Sequence, residues 1–176
     1  MESLKQYVAA AFPEIGEIAS KTLRDQVVEM WTISMEEGGW ETLDGIPFTL
    51  LIPDAPYDLR EHTRRVTRSA LAVARTRTDL NIDLVIAGGL THDVGKLMEY
   101  ERDPKGKVIA SRRGKLLRHP VTGMELAMRV GAPIELQHII VAHSKEGDSV
   151  KRIPEAILIH HCDFIDFEIA KNKAGL

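Results

Sequence analysis

Residues 84–97 read LVIAGGLTHDVGKL. An apolar run arrives at a histidine and an aspartate side by side, His92 and Asp93, and Gly95 and Lys96 follow. Asn81-Ile82-Asp83 is a capping sequence, so the run is expected as a strongly apolar helix that ends near His92-Asp93. Gly88-Gly89 inside it permits close approach of a neighbouring helix, at a cost in propensity of about 1 kcal/mol per glycine. Two metal-binding side chains at the end of a buried segment are costly unless something charged binds between them. The chain supplies candidates to complete such a site: His62 upstream, then His119, His143 and Asp163 downstream.

Working outward, residues 58–77 read as a helix. His62, Val66, Ser69 or Ala70, and Val73 fall on one apolar face, which points His62 inward, while Arg60, Arg64, Arg68 and Arg75 make the opposite face basic. After Lys96, Asp103-Pro104-Lys105-Gly106 is a turn centre between two short segments and predicts a small hairpin. Residues 114–119 are expected as a basic loop. From Arg102 to Arg118 seven basic residues face one acidic residue, a field suited to an anionic substrate. Helices are expected from Pro120 to Gly131, from Pro133 to His143, and from Pro154 through Asp163, with a turn at Gly147-Asp148.

Upstream, apolar spacing predicts helices over residues 3–12, punctuated by Pro13, and over about 22–37, ended by Gly38-Gly39. Residues 40–57 carry Pro47, Pro53 and Pro56 and read as an irregular segment. Its stretch IPFTLLIP is too apolar to hang in water and is expected on the core or on a second subunit, so a homodimer is one outcome. The expectation is an all-α fold with one small β-hairpin, with residues 1–57 as a helical arm and loop packed on a main domain at 58–170.

With 176 residues, 44% hydrophobic and 28% charged, the chain has the composition of one globular domain. A net charge of −3 argues against a nucleic-acid binder, but the charge is uneven: residues 1–50 hold three basic and nine acidic side chains. The single cysteine, Cys162, excludes an internal disulfide framework and fits a reducing compartment. No membrane-spanning run or secretory signal is evident, so a cytoplasmic location is expected.

Imidazole nitrogens and carboxylate oxygens are ligands for zinc, iron, manganese and similar ions. Four histidines and two aspartates could hold two ions, with Asp93 the best bridge. Two metals about 3.5–4 Å apart can share a hydroxide and stabilise charge on a phosphoryl group, which supplies a nucleophile without an activated serine or cysteine. His92-Asp93, His119 and His143 each fall at an expected helix end, where short loops can converge.

The pattern His62 … His92-Asp93-Val94-Gly95-Lys96 … His119 … His143 … Asp163 resembles the HD-domain metal-dependent phosphohydrolase superfamily, over residues 58–170. The additional histidines are similar to its binuclear branch. The resemblance implies an HD-domain helical bundle. It implies that His62, His92, Asp93 and Asp163 hold one divalent ion and that Asp93, His119 and His143 hold a second (Fe, Mn, Zn, Ni, Co or Mg). It also implies that Lys96 contacts substrate phosphate. LLRHPVTGMELA, VAHSKEGD and HHCDFID are most similar to small bacterial members acting on nucleotides, including dinucleoside-polyphosphate hydrolases. The Gly-Tyr-Pro signature of the cyclic-di-GMP-specific group is absent, and Ser144 stands where cyclic-dinucleotide relatives usually carry a second histidine.

The implied activity is hydrolysis of a phosphoester or phosphoanhydride in a nucleotide-like substrate, with Asp93 and Lys96 in the catalytic roles. Some HD-fold proteins with the same six ligands hold two irons and oxidise an organic substrate, so a diiron oxygenase is the rival reading. A regulatory domain without catalysis is a third, and the retained Lys96 argues against it. Arg65 and Arg118 are candidate phosphate-binding residues. His160 and His161 compete as further ligands or hydrogen-bond partners beside Asp163. His138 lies about 140° round its helix from His143 and is expected to be structural, as is Cys162.

Overall fold

The computed structural model describes residues 3–176. Its elements in order are α1 (Leu4–Ala11), a 3-10 turn (Pro13–Glu17), α2 (Lys21–Gly38), α3 (Leu59–Ala74), α4 (Ile82–Thr91), α5 (Lys96–Glu99), β1 (Tyr100–Arg102), β2 (Val108–Ala110), α6 (Arg112–Leu116), α7 (His119–Arg129), α8 (Ile134–Ala142), a 3-10 turn (Lys145–Ser149) and α9 (Pro154–Lys173). The fold is all-α with one small antiparallel hairpin. Residues 1 and 2 of the expected arm lie outside the described residues.

The apolar run becomes α4, capped by Asn81, whose side chain accepts from Leu84 N. Every residue from Val85 to Thr91 is buried. A helix apolar all round must be surrounded, and α2, α3, α8 and α9 all pack against it. The two glycines explain how closely. A Cβ on Gly89 would stand 2.8 Å from Thr67 Cα in α3, and one on Gly88 would stand 2.8 Å from the Ile139 side chain in α8. Helix α3 thus lies almost backbone to backbone on α4, which brings His62 toward His92.

The acidic start of the chain covers the basic face of α3. Buried Glu14 accepts from Arg64 at 3.1 Å and from Arg68 at 2.7 Å, Glu17 pairs with Arg75 at 2.7 Å, and Asp44 pairs with Arg60 at 3.0 Å. The charge asymmetry of the sequence is therefore an internal docking surface. Phe12, Val27, Met30, Trp31 and Met35 join the same core as Ile86, Leu90 and Leu97. Helix α2 also ties down the turn that follows α4. Trp31 donates to the Leu90 carbonyl at 2.9 Å, Ser34 to that of Val94 at 2.8 Å, and the following loop's Trp40 to that of Leu97 at 2.6 Å.

The hairpin forms with Tyr100 opposite Ala110, its turn closed by Asp103, whose side chain accepts from Lys105 N and Lys107 N, and by Gly106 at φ 82°. Several boundaries differ from expectation. Helix α3 ends at Ala74 rather than near Arg77. The expected basic loop begins with a short helix, α6, because Ser111 caps it by accepting from Gly114 N at 3.0 Å. Helix α7 starts at His119, with Pro120 in its first turn. The stretch IPFTLLIP divides: Ile46, Phe48 and Ile52 are buried on the core of this chain, while Leu50 and Leu51 point outward.

Gly89→Ala should destabilise the fold by about 1–3 kcal/mol through overpacking against the Thr67 backbone. Gly16→Ala, where an added Cβ meets nothing within 4 Å, should stay within about 0.5 kcal/mol of wild type. Denaturant melts of both variants read the difference, and equal losses would contradict the packing described.

Candidate metal centre

The structure brings His62, His92, Asp93, His119, His143 and Asp163 together. They fall into two groups, His62, His92 and Asp163, and Asp93, His119 and His143; within each, one donor atom per residue lies within 4.8 Å of the others. All but Asp163 are buried. Five elements converge to make this: α3 carries His62, the end of α4 carries His92-Asp93, α7 begins with His119, His143 terminates α8, and α9 supplies Asp163. The turn after Asp93 packs against the start of α7 so tightly that a Cβ on Gly95 would stand 2.2 Å from the His119 carbonyl oxygen.

Each imidazole is held by its Nδ1, which leaves Nε2 to face the centre. The Nδ1 of His92 donates to the Gly89 carbonyl and that of His143 to the Ile140 carbonyl, both at 2.7 Å. His62 Nδ1 meets Asp166 Oδ2 at 2.7 Å, and His119 Nδ1 meets Glu99 Oε2 at 2.8 Å. The Nε2 atoms then approach in pairs: His62 to His92 at 3.4 Å, and His119 to His143 at 3.3 Å. Outer partners of this kind fix the ring orientation of metal-bound histidines.

Asp93 lies between the two pairs. Its Oδ2 is 3.5 Å from the Nε2 of both His62 and His92. Its Oδ1 is 3.2 Å from His119 Nε2 and 3.6 Å from His143 Nε2. Oδ1 is buried with no hydrogen-bond partner. A buried, unpartnered carboxylate oxygen facing two imidazole nitrogens fits a cation, since leaving it bare costs several kcal/mol, on the order of the desolvation of an ionised group. The donors are nitrogen and oxygen with no thiolate, a set suited to divalent zinc, iron, manganese, cobalt or nickel.

The electrostatics agree. Burial opposes charge on His62, but Asp163, Asp166 and Asp93 outweigh it and raise its pKa to about 10. Burial likewise opposes charge on Asp93, yet the Lys96 ammonium and the His92 ring hold its carboxyl well below the usual range. Asp163 is held low against burial by its hydrogen bond to His62. Burial lowers the pKa of His119 despite Glu99. The cluster is thus rich in ionised carboxylates, and His62 carries a proton that a cation would replace.

Lys96 donates to Asp93 Oδ2 at 2.6 Å and to the Phe48 carbonyl, and lies on the wall of a cleft of about 480 Å³. Arg118 also lines this cleft, 3.4 Å from both Glu99 and Glu146. Arg65 does not: it pairs with Glu61 at 2.9 Å and lies over the Tyr57 ring, so its side chain is engaged away from the cleft. Of the expected basic field, Arg118 alone reaches the cleft wall; Arg113, for example, pairs with Glu125. His160 bonds the His143 carbonyl at 2.6 Å and His161 is exposed; neither belongs to the two groups. His138 accepts from Ile153 N, a structural bond outside the site.

Asp166 and Glu99 lie outside the His/Asp pattern that the sequence offers. Their only sequence signal is spacing, since each lies three residues after a site residue, Asp163 and Lys96, one helical turn on. Phe48, whose ring stacks on His62 with centroids 4.6 Å apart, had no sequence signal beyond its apolar neighbours.

Near pH 7, loading with Mn²⁺ or Zn²⁺ should release about one proton per chain from His62, because that ring is charged below its raised pKa and a ligand must be neutral. Titration calorimetry in buffers of different protonation enthalpy measures this, and uptake without proton release would contradict it. Asp166→Ala should free the His62 ring and weaken metal binding by about 10–100-fold.

A family model of the HD domain matches residues 59–167. The ribonuclease Y of Petrotoga mobilis is 28% identical over 106 residues, covering 60% of this chain and 17% of that protein. The ribonuclease Y of Thermosipho melanesiensis is 29% identical over 84 residues, covering 48% and 14% respectively. The chain thus spans about a sixth of the length of these curated relatives. No solved structure matches it. The matched segment holds every one of the six converging side chains and more than half of the sequence, and on that ground the chain belongs to the HD domain family.

Proposed function

We propose that the chain is a metal-dependent phosphohydrolase that cleaves a phosphoester or phosphoanhydride bond of a nucleotide-like substrate. The observation that carries this is Asp93, whose two carboxylate oxygens each face one histidine pair. His62, His92, Asp93 and Asp163 would hold one divalent ion, and Asp93, His119 and His143 the other. Such a pair of ions, when bound, polarises a phosphoryl oxygen and lowers the pKa of water.

The residues of the chain do the remaining work. Lys96 keeps Asp93 ionised and presents a cation to the cleft. Glu99 and Asp166 keep the His119 and His62 rings from turning. Phe48 covers one face of His62 and excludes water from it. Lys145 adds a cation to the cleft wall, where Arg118 is shared between Glu99 and Glu146. Membership of the HD family supports a metal-dependent hydrolase, and the partial relatives carry the name of a ribonuclease, a phosphoester-cleaving activity.

The test is phosphate release from a panel of nucleotides by metal-loaded protein under anaerobic conditions. Turnover without dioxygen is expected. Dioxygen consumption on an organic substrate, with no phosphate released from any member of the panel, would replace this reading by the diiron oxygenase. Asp93→Ala should abolish both metal occupancy and turnover. Lys96→Ala should retain the metals and lower kcat by about 10²-fold or more, the scale of removing one electrostatic stabiliser.

A further inference from the structure

We propose that the cleft selects a phosphomonoester whose ester group is apolar or aromatic, and disfavours substrates in which more phosphates follow the one attacked. This rests on the phosphohydrolase reading and narrows it.

Three cations line the cleft, and two of them are already engaged by carboxylates. Lys96 is paired with Asp93 at 2.6 Å. Arg118 is divided between Glu99 and Glu146, at 3.4 Å from each. Lys145 is the one cation of the wall without a carboxylate partner among the described residues. Two divalent ions with Lys145 suffice for a single dianionic phosphate. A chain of further phosphates would meet the Glu99 and Glu146 carboxylates and lose hydration without a counter-charge.

The same wall carries apolar side chains beside the metal groups. Phe164 follows Asp163 in α9, and Phe167 lies one turn on, its ring edge-on to Phe48 at 6.5 Å. On the same cleft Leu50 and Leu51 are 40% and 74% exposed, the outward part of a segment whose Ile46, Phe48 and Ile52 are buried. A group joined to the attacked phosphorus through one ester oxygen therefore lands against aromatic and aliphatic carbon. The cleft volume of about 480 Å³ is in the range that encloses a small ligand. In the reaction, the oxygen of water bonds to phosphorus while the bond from phosphorus to the ester oxygen breaks. The leaving oxygen takes a proton, and the products are the free alcohol and inorganic phosphate.

The experiment compares kcat/KM of Mn²⁺-loaded protein on phenyl phosphate, methyl phosphate, a nucleoside 5′-monophosphate, a nucleoside 5′-triphosphate and a dinucleoside tetraphosphate, with products separated by ion exchange. Phenyl phosphate and the monophosphate should exceed the two polyphosphates, and phenyl should exceed methyl phosphate, each by about tenfold or more, the scale of an apolar pocket's discrimination. Phe164→Ala should erase the preference for phenyl over methyl. Lys145→Ala should lower kcat/KM on both monoesters to a similar extent. Faster hydrolysis of either polyphosphate, or equal rates on phenyl and methyl phosphate, would overturn the proposal while leaving the phosphohydrolase reading standing. No hydrolysis of any of the five would overturn both. The wild-type ladder decides the matter even if Phe164→Ala does not fold.

Discussion

A carboxylate held between four imidazoles, out of reach of water, is the constraint on which the rest of this structure depends. Asp93 is 1% exposed, and one of its oxygens has no hydrogen-bond partner. Its other oxygen is balanced by Lys96 at 2.6 Å. Nearby Asp163, Asp166 and Glu99 add further negative charge, offset by the protonated His62. A helical core gains nothing from such a cluster, because apolar residues of similar volume would generally be as stable or more so. The cost is accounted for if cations occupy the space between the two groups.

Much of the chain serves to hold that cluster still. The glycines of α4 let α3 and α8 approach, which sets both the His62 and the His143 ring beside that of His92, with centroids 5.4 and 5.0 Å away. The acidic N-terminal residues neutralise the outer arginines of α3, while α2 and the loop after it donate three hydrogen bonds to main-chain carbonyls of the segment Leu90–Leu97. Each such bond contributes modestly, about 1 kcal/mol, but an unmade one at a buried carbonyl costs about 1–3 kcal/mol. The arm is thus coupled to the site through the backbone of the turn that carries Asp93.

The sequence is legible where residue chemistry and local period coincide. His92-Asp93 at the end of an apolar run, His62 on an inward face, and His119 and His143 at helix ends could be read because each position follows from nearby residues. The partners of the rings could not. Whether Glu99 reaches His119, or Asp166 reaches His62, depends on how α5 meets α7 and α3 meets α9, a tertiary fact. Arg65 illustrates the converse: a basic residue three positions from His62 looked suited to phosphate, but Glu61 and Tyr57 hold it elsewhere. The uneven charge was visible in the sequence, but its meaning as a docking surface for α3 needed the fold. Helix α6 was hidden because a five-residue, largely basic segment has no apolar period, and only its Ser111 cap marks it.

Anomalous diffraction from crystals grown with Mn²⁺ and, separately, Zn²⁺ tests the central claim most directly. Two peaks about 3.5–4 Å apart are expected, one beside His62, His92 and Asp163, the other beside His119 and His143, with Asp93 in contact with both. A single peak that leaves one oxygen of Asp93 bare, or metal bound elsewhere on the chain, would contradict it.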